Sequence, residues 1–257
     1  MCHPEVPAGQ AIPEVAREEV SVSVPGGGEM PCLLALPENG SAAGVLVVAD
    51  VYGRSPFYEN LASRLATAGF AAILPDYFFR EGALSEVSVE AAMERRSRFS
   101  ERRALSDLHA AIDWLRSRSE TTAGALTGTV GCCMGGTLVL GLAATRKDLA
   151  SVCYYGFPAG SRAGDDNLPP PLKMLDEMSG PLLGFWGDQD EGVGMHNVEA
   201  LIGGLEKRGV TVEHTIYPGL GHGFLARSNL EEGTDGYAEA CDSWTRAIGF
   251  YREHLKR

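Results

Sequence analysis

The hexapeptide GCCMGG, residues 131–136, places a thiol where nucleophilic catalysis could occur. It follows an apolar strand and opens an apolar helix, and it fits the nucleophile elbow G-x-nucleophile-x-G, whose sharp turn leaves no room for side chains at the flanking positions. The register makes Cys133 the central residue, with a strained backbone and a sulfur near a helix N-terminus, where thiolate is favoured over thiol. The next N–H, that of Met134, is placed to donate to an oxyanion.

Two other interpretations of this turn remain open. By the alternation of side chains along a strand, Cys132 points away from Cys133 and is expected to be structural. The segment could then be a glycine-rich turn that holds two buried and inert cysteines. Adjacent cysteines can also form a strained disulfide ring, in which case the pair Cys132 and Cys133 would be a redox element.

A nucleophilic thiol needs a base and an acid that orients the base. In an open parallel sheet, both are expected after later strands, in the order nucleophile, acid, histidine. The loop FWGDQD, residues 185–190, follows an apolar strand and offers Asp188 and Asp190. We favour Asp190, because the G-x-x-D spacing lets the chain turn before the carboxylate points back at the histidine. An aspartate-rich turn without a catalytic role is the alternative.

His222 is the candidate base. It lies in the loop YPGLGHGF, residues 217–224, which again follows a strand, and its glycine neighbours let the loop expose an imidazole. The other five histidines are placed in a helix, in a strand or near a terminus. On its own a loop histidine is often a plain surface residue, but Cys133, Asp190 and His222 occur in the required order, each after a strand.

These residues need a parallel sheet to bring them together, and the apolar pattern predicts one. Apolar strands alternate with helices from about residue 44 onwards, which is typical of an α/β fold with helices on both faces of a mainly parallel sheet. Predicted strands cover 20–24, 32–36, 44–49, 70–74, 126–131, 151–155, 182–186 and 211–217. Predicted helices cover 57–68, 93–118 (one helix or a pair), 136–145, 195–208 and 236–255.

The length of 257 residues suits one large domain. We assign residues 1–16, rich in proline and acidic side chains, to an N-terminal tail, and residues 17–257 to a single α/β domain. Residues 159–171, AGSRAGDDNLPPP, interrupt the alternation and are predicted to form a surface excursion, because the pattern resumes after them.

Charge and cysteine usage limit the class of partner and compartment. With 22 basic and 34 acidic residues the net charge is −12, which disfavours nucleic acid and anionic membranes as partners. No apolar run approaches the ~18 residues of a membrane span. The six cysteines show no CxxC spacing, so we expect reduced thiols in a cytoplasmic protein.

From about Val20 to the final helix, the chain resembles the dienelactone hydrolase family, α/β-hydrolases with a Cys-His-Asp triad. The most specific piece is the G-x-C-x-G-G elbow, since most α/β-hydrolases place serine there. The resemblance implies that Cys133 is the nucleophile, Asp190 the orienting acid and His222 the general base.

The segment VVADVYGR, residues 47–54, resembles the family loop that follows the third strand. This implies that Asp50 takes the place of an acid, usually glutamate, that holds the resting thiol protonated until substrate displaces it. The side chain of Asp50 is one methylene shorter than glutamate. By the same resemblance, Val51 supplies the second N–H of the oxyanion hole.

Two arginines are implied to bind a substrate carboxylate. The family segment P-D-x-x-x-R occurs at residues 75–80 and implies this role for Arg80. A second family arginine follows the histidine by four residues, whereas Arg227 follows His222 by five. Such a shift would loosen the preference for dienelactone and favour a broader esterase or lactonase.

A further arginine-rich segment, residues 94–103, carries five arginines within its last nine positions. It could be a solvated helix face whose charge is offset by Glu94 and Glu101. Alternatively, Arg98 or Phe99 faces the pocket from a cap region and helps to select anionic substrates.

The sequence therefore predicts a hydrolase that needs no metal or organic cofactor and cleaves small lactones or carboxylic esters, some of them anionic, through a thioester on Cys133. Two alternatives use the same residues differently. The chain could be a non-catalytic protein that binds a small acid in the same pocket, or a thiol redox sensor that uses Cys132 and Cys133.

Overall fold

The computed structural model describes residues 13–38, 42–122, 126–160 and 168–255. Most of the predicted tail, up to residue 12, lies outside these ranges, as do residues 161–167 of the predicted excursion. The first strand begins at Ala16, so regular structure starts at the last residue of the predicted tail. None of the described helices is both long and apolar enough to cross a membrane.

The described residues alternate between strands and helices along almost the whole chain. The strands are β1 (Ala16–Ser23), β2 (Glu29–Leu36), β3 (Gly44–Val48), β4 (Ala71–Pro75), β5 (Thr127–Cys132), β6 (Leu149–Tyr154), β7 (Leu182–Gly187) and β8 (Val212–Tyr217). The α-helices are α1 (Pro56–Thr67), α2 (Val89–Ser97), α3 (Glu101–Ser117), α4 (Met134–Thr145), α5 (Met195–Glu206) and α6 (Tyr237–His254).

The strands form one sheet in the order β1-β2-β4-β3-β5-β6-β7-β8. The pairings β1–β2 and β2–β4 are antiparallel, and every pairing from β4 to β8 is parallel. Strands β3 to β7 are buried at every position, as expected for strands covered on both faces. The predicted α/β-hydrolase fold with a mostly parallel sheet is confirmed.

Helices cover both faces of the sheet. On one face α3 packs against α4, where a Cβ added to Gly141 would lie 3.2 Å from Cδ1 of Leu105. On the other, α1 and α6 meet where the Arg64 guanidinium lies 4.4 Å from the Trp244 ring centroid. The long helical segment predicted at 93–118 is a pair, α2 and α3. It is broken because the Ser100 side chain accepts the Arg103 N–H and starts a new helix.

The carboxyl ends of the parallel strands meet at one edge of the sheet, which we call the carboxyl edge. This edge is where α/β proteins bind ligands. Residues of the segments that follow the strands gather here: Asp50 after β3, Tyr77 after β4, Cys133 after β5, Tyr155 after β6, Asp190 after β7 and His222 after β8.

The turn from β5 into α4 is built on a close approach between backbones. A Cβ on Gly135 would lie 2.2 Å from the Val48 carbonyl oxygen and 2.3 Å from that of Ala49. A Cβ on Gly131 would lie 2.3 Å from the Gly135 carbonyl oxygen. Both glycines flanking Cys133 are therefore required by contact with backbone, and the first turn of α4 abuts the end of β3.

Replacement of Gly135 tests this contact. We expect Gly135→Ala to lower the free energy of unfolding by about 3 kcal/mol or more, because backbone has to move to admit the methyl group. The control is Gly203→Ala in α5, where an added Cβ meets no described atom within 4 Å. The control should be neutral or stabilise by about 0.5–1 kcal/mol. Urea unfolding followed by circular dichroism measures both, and equal stability of the two variants would contradict the prediction.

Candidate active site

Cys133 lies in the strained turn that the sequence predicts. It is the N-cap residue of α4, with φ 58° and ψ −122°, a backbone conformation that a residue with a Cβ keeps only where its surroundings enforce it. Its N–H donates to the Tyr154 carbonyl at 3.0 Å. The residue is 7% exposed at the carboxyl edge, and its thiol stands at the N-terminus of α4, where the helix dipole favours negative charge.

The neighbouring thiol of Cys132 has a different environment. It is fully buried, close to the buried side chains of Tyr155 and Tyr58. Burial raises the pKa of the Cys132 thiol well above its usual range, so this thiol stays protonated and unreactive. The structure thus agrees with the structural role predicted for Cys132. The described ranges hold no group of three or more His, Cys, Asp or Glu side chains that could bind a metal ion.

Asp190 and His222 are in direct contact. Oδ2 of Asp190 lies 2.6 Å from Nδ1 of His222, and the aspartate is only 4% exposed. Its second oxygen accepts the Val193 N–H at 3.3 Å. Asp188, the other carboxylate of this loop, accepts the Gly219 N–H at 2.7 Å instead. A carboxylate oxygen accepts from Nδ1, so Nδ1 of His222 carries a hydrogen and Nε2 carries the lone pair that a general base needs.

Two aromatic rings pack against the imidazole of His222, and the sequence analysis did not predict them. The Tyr155 ring meets the imidazole edge-on, with centroids 4.9 Å apart, and the Phe157 ring lies at 5.5 Å. Tyr155 also adopts a positive φ of 38° and donates its N–H to the Phe185 carbonyl at 2.7 Å. Its position directly after β6 is the signal that could have identified it, because residues after parallel strands reach the carboxyl edge.

The loop after β3 presents a backbone N–H beside the elbow. Asp50 is fully buried. Its Oδ1 accepts the Tyr52 N–H at 2.8 Å and its carbonyl accepts the Gly53 N–H at 2.9 Å, which closes a tight turn. Among the described residues, neither the Val51 N–H nor the Met134 N–H has a hydrogen-bond acceptor. Two free donors at the carboxyl edge are what an oxyanion hole requires. That Asp50 holds the thiol protonated stays a prediction.

The two arginines predicted to bind substrate have partners within the chain. Arg80 forms an ion pair with Asp107 of α3, whose side chain is 1% exposed, and also donates to the carbonyls of Pro25 and Gly27. Arg227 donates to the side chain and carbonyl of Asp235, both at 2.8 Å. Their role in binding a substrate carboxylate stays a prediction.

The arginine-rich segment reaches the site through a residue that the sequence analysis did not single out. Arg98 is exposed and pairs with Glu94 at 3.0 Å, and Phe99 is buried against the rings of Tyr77 and Phe78. Arg95, in contrast, is only 6% exposed, and its Nη2 donates to the Val51 carbonyl at 2.9 Å. The segment is therefore a solvated face only in part, since α2 contacts the loop after β3.

Comparisons with known proteins place this geometry in a family. The model of the Dienelactone hydrolase family matches residues 30–255. A carboxymethylenebutenolidase of Rhodococcus opacus is 30% identical over 256 residues, which is 99% of this chain and 98% of that protein. Carboxymethylenebutenolidase 2 of Cupriavidus pinatubonensis is 33% identical over 229 residues, 88% of each chain.

A solved structure supports the same assignment. A protein of Klebsiella pneumoniae, described as a dienelactone hydrolase, superposes with a TM-score of 0.83 at 26% identity and covers 94% of this chain and 100% of its own. The family match spans most of the chain, including the elbow and the contact between Asp190 and His222. The chain therefore belongs to the dienelactone hydrolase family, and it is a hydrolase of lactones or carboxylic esters.

Proposed function

We propose that this protein hydrolyses small lactones or carboxylic esters through a thioester on Cys133, with His222 as general base and Asp190 as the acid that orients it. The observation that carries the proposal is the 2.6 Å contact between Asp190 and His222. This contact lies at the same sheet edge as the strained turn that presents Cys133. Each catalytic step needs only groups of the chain and water. The described cysteines form no disulfide, which fits a reducing compartment such as the cytoplasm.

Acylation begins with transfer of the Cys133 proton to Nε2 of His222. The thiolate attacks the carbonyl carbon of the substrate, and the carbonyl oxygen becomes an oxyanion between the N–H groups of Met134 and Val51. One such donor typically lowers the barrier by ~3–4 kcal/mol. The C–O bond then breaks, and the imidazolium protonates the leaving alkoxide. In a lactone, the alkoxide remains attached to the acyl group.

Deacylation repeats the sequence with water. His222 removes a proton from water, the hydroxide attacks the thioester, and the C–S bond breaks as Cys133 regains its proton. The Asp190 carboxylate keeps Nδ1 of His222 protonated and stabilises the imidazolium in both steps. The buried Asp50 carboxylate, at the same edge, is proposed to keep the resting thiol protonated when no substrate is present.

The two alternative functions receive less support from the geometry. A redox ring would require the Cys132 thiol, which is fully buried beside two buried tyrosines, to leave this position. A protein that only binds small acids has no use for a histidine ordered by a buried aspartate. Such a protein would also show no burst of leaving group when it is mixed with an activated ester.

Removal of the thiol is the first test. Cys133→Ala should lower kcat for p-nitrophenyl acetate by at least about 10³-fold, because no covalent intermediate can form. Iodoacetamide should label Cys133 in the native protein and spare Cys32, a buried thiol whose pKa burial raises to about 12. Cys32→Ala is the control and should keep its activity. Wild-type turnover by Cys133→Ala would refute the thioester.

The two aspartates of the loop after β7 offer a matched pair of isosteric variants. Asp190→Asn should lower kcat by about 10²–10⁴-fold, because an amide can donate to Nδ1 and thereby selects the wrong tautomer of His222. Asp188→Asn leaves the Gly219 N–H with an acceptor and should remain within about twofold of wild type. Steady-state kinetics on one ester measures kcat of both variants. A larger loss of kcat in Asp188→Asn than in Asp190→Asn would place the acid at Asp188.

The ion pair of Arg80 gives a stability test that also bears on substrate charge. Arg80→Ala should lower the free energy of unfolding by on the order of 3 kcal/mol, because it leaves the buried Asp107 without its partner. Adding Asp107→Asn to the same chain should restore most of this loss. Urea unfolding measures both effects. If Arg80→Ala instead raises KM for an anionic lactone alone and leaves stability unchanged, the arginine belongs to the substrate site.

A further inference from the structure

The proposed oxyanion donor, the Val51 N–H, belongs to the peptide unit that joins Asp50 to Val51. The carbonyl of this unit accepts two hydrogen bonds, from the Tyr77 hydroxyl at 3.0 Å and from the Gly53 N–H at 2.9 Å. The peptide is trans, so its C=O and N–H point in opposite directions. Whatever holds the carbonyl therefore also sets the direction in which the Val51 N–H points.

Tyr77 is held rigidly in this position. It is 2% exposed, and its ring packs against Phe78 and Phe99 with centroids 4.8 and 5.6 Å away. Burial, together with the nearby charge of Asp50, raises the pKa of the Tyr77 hydroxyl well above its usual range. The hydroxyl thus keeps its hydrogen and acts as a donor throughout the pH range of ester hydrolysis.

The hydroxyl of Tyr77 has one hydrogen and two acceptors. It lies 2.6 Å from the Ala49 carbonyl and 3.0 Å from the Asp50 carbonyl. When an oxyanion forms at the Val51 N–H, the peptide polarises and the Asp50 carbonyl becomes a stronger acceptor. The hydrogen then shifts toward Asp50, and a chain of hydrogen bonds runs from phenol through peptide to oxyanion.

The next peptide unit is held by a different side chain. Nη2 of Arg95 donates to the Val51 carbonyl at 2.9 Å, and the guanidinium lies 3.9 Å from the Phe78 ring centroid. The peptide that precedes Val51 and the one that follows it are thus each bound through their carbonyl oxygens, and the loop has little freedom to rotate.

We propose that Tyr77 is a positioning residue of the oxyanion hole, which orients and polarises the Asp50–Val51 peptide so that the Val51 N–H stabilises the tetrahedral intermediate. This inference rests on the proposed function, because it takes Cys133 as the nucleophile and Val51 as a donor. Tyr77 does not touch the substrate; it acts through one peptide unit.

The test compares two tyrosines whose buried hydroxyls each donate to a backbone carbonyl. Tyr77→Phe removes the hydroxyl at the loop. Tyr251→Phe is the matched control, since the Tyr251 hydroxyl donates to the Thr129 carbonyl, at 2.7 Å, within β5 and before the elbow. Loss of a direct oxyanion donor costs about 10²–10³-fold in kcat, so for a residue one peptide removed we expect about 10-fold for Tyr77→Phe, with KM nearly unchanged. Tyr251→Phe should stay within about twofold of wild type.

A second readout separates positioning from general disorder of the site. Iodoacetamide alkylates a thiolate without forming an oxyanion, whereas p-nitrophenyl acetate acylates it through one. Tyr77→Phe should therefore slow the acylation burst about 10-fold and leave the rate of Cys133 alkylation unchanged. Equal slowing of both reactions, or no slowing of either, would overturn the proposal. If Cys133→Ala retains the acylation burst of the wild-type protein, the proposed nucleophile is wrong, which is a different failure.

A third variant tests the role of the Tyr77 hydroxyl if Tyr77→Phe does not fold. Incorporation of 3-fluorotyrosine at position 77 preserves the shape of the ring and makes the hydroxyl a stronger hydrogen-bond donor. Its acylation burst should be faster than that of wild type, with alkylation again unchanged. A slower burst with unchanged alkylation would contradict the role of the hydroxyl as a donor to the oxyanion loop.

Discussion

The contact between the first turn of α4 and the end of β3 is the constraint on which the site depends. A Cβ at Gly135 would fall within 2.3 Å of the carbonyl oxygens of Val48 and Ala49. The helix can therefore come this close to β3 only because residue 135 is glycine. This approach brings the start of α4 beside the loop after β3. The N–H groups of Met134 and Val51, which come from segments more than 80 positions apart in the chain, can then serve one oxyanion. The positive φ of Cys133 is the local consequence of the same approach.

The remaining groups of the site are positioned by the sheet and not by the elbow. Strands β7 and β8 are neighbours with parallel register, so the loops that follow them run side by side and Asp190 meets His222. Strand β6 lies between β5 and β7, which places Tyr155 between Cys133 and Asp190, against the imidazole of His222. The aromatic contact follows from strand order, because the segment that follows β6 lies beside the segments that follow β7 and β8.

The parts of this structure that could be predicted from sequence are those that depend on strand ends. Apolar runs and their alternation with helices locate the strands, and glycine spacing marks the elbow, so Cys133, Asp190 and His222 could be proposed as candidates from the sequence. Contacts between side chains from distant elements could not. The pairing of Arg80 with Asp107 joins residues 27 positions apart, and the contact of Arg95 with Val51 joins residues 44 positions apart. Both depend on how α2 and α3 lie over the sheet, which periodicity does not specify.

The ion pairs of Arg80 and Arg227 determine how readily an anionic substrate could bind to these arginines. The chain carries a net charge of −12, and a substrate carboxylate that approaches it has to find an arginine whose charge is not already compensated. Arg80 is held by a buried carboxylate, and a substrate anion that took this guanidinium would leave Asp107 charged and buried without a partner. Arg227 is held by an exposed aspartate, and an ion pair at the surface is weak. Replacing the carboxylate partner of the arginine by a substrate carboxylate is therefore far less costly at Arg227 than at Arg80. A neutral lactone or ester requires no such replacement.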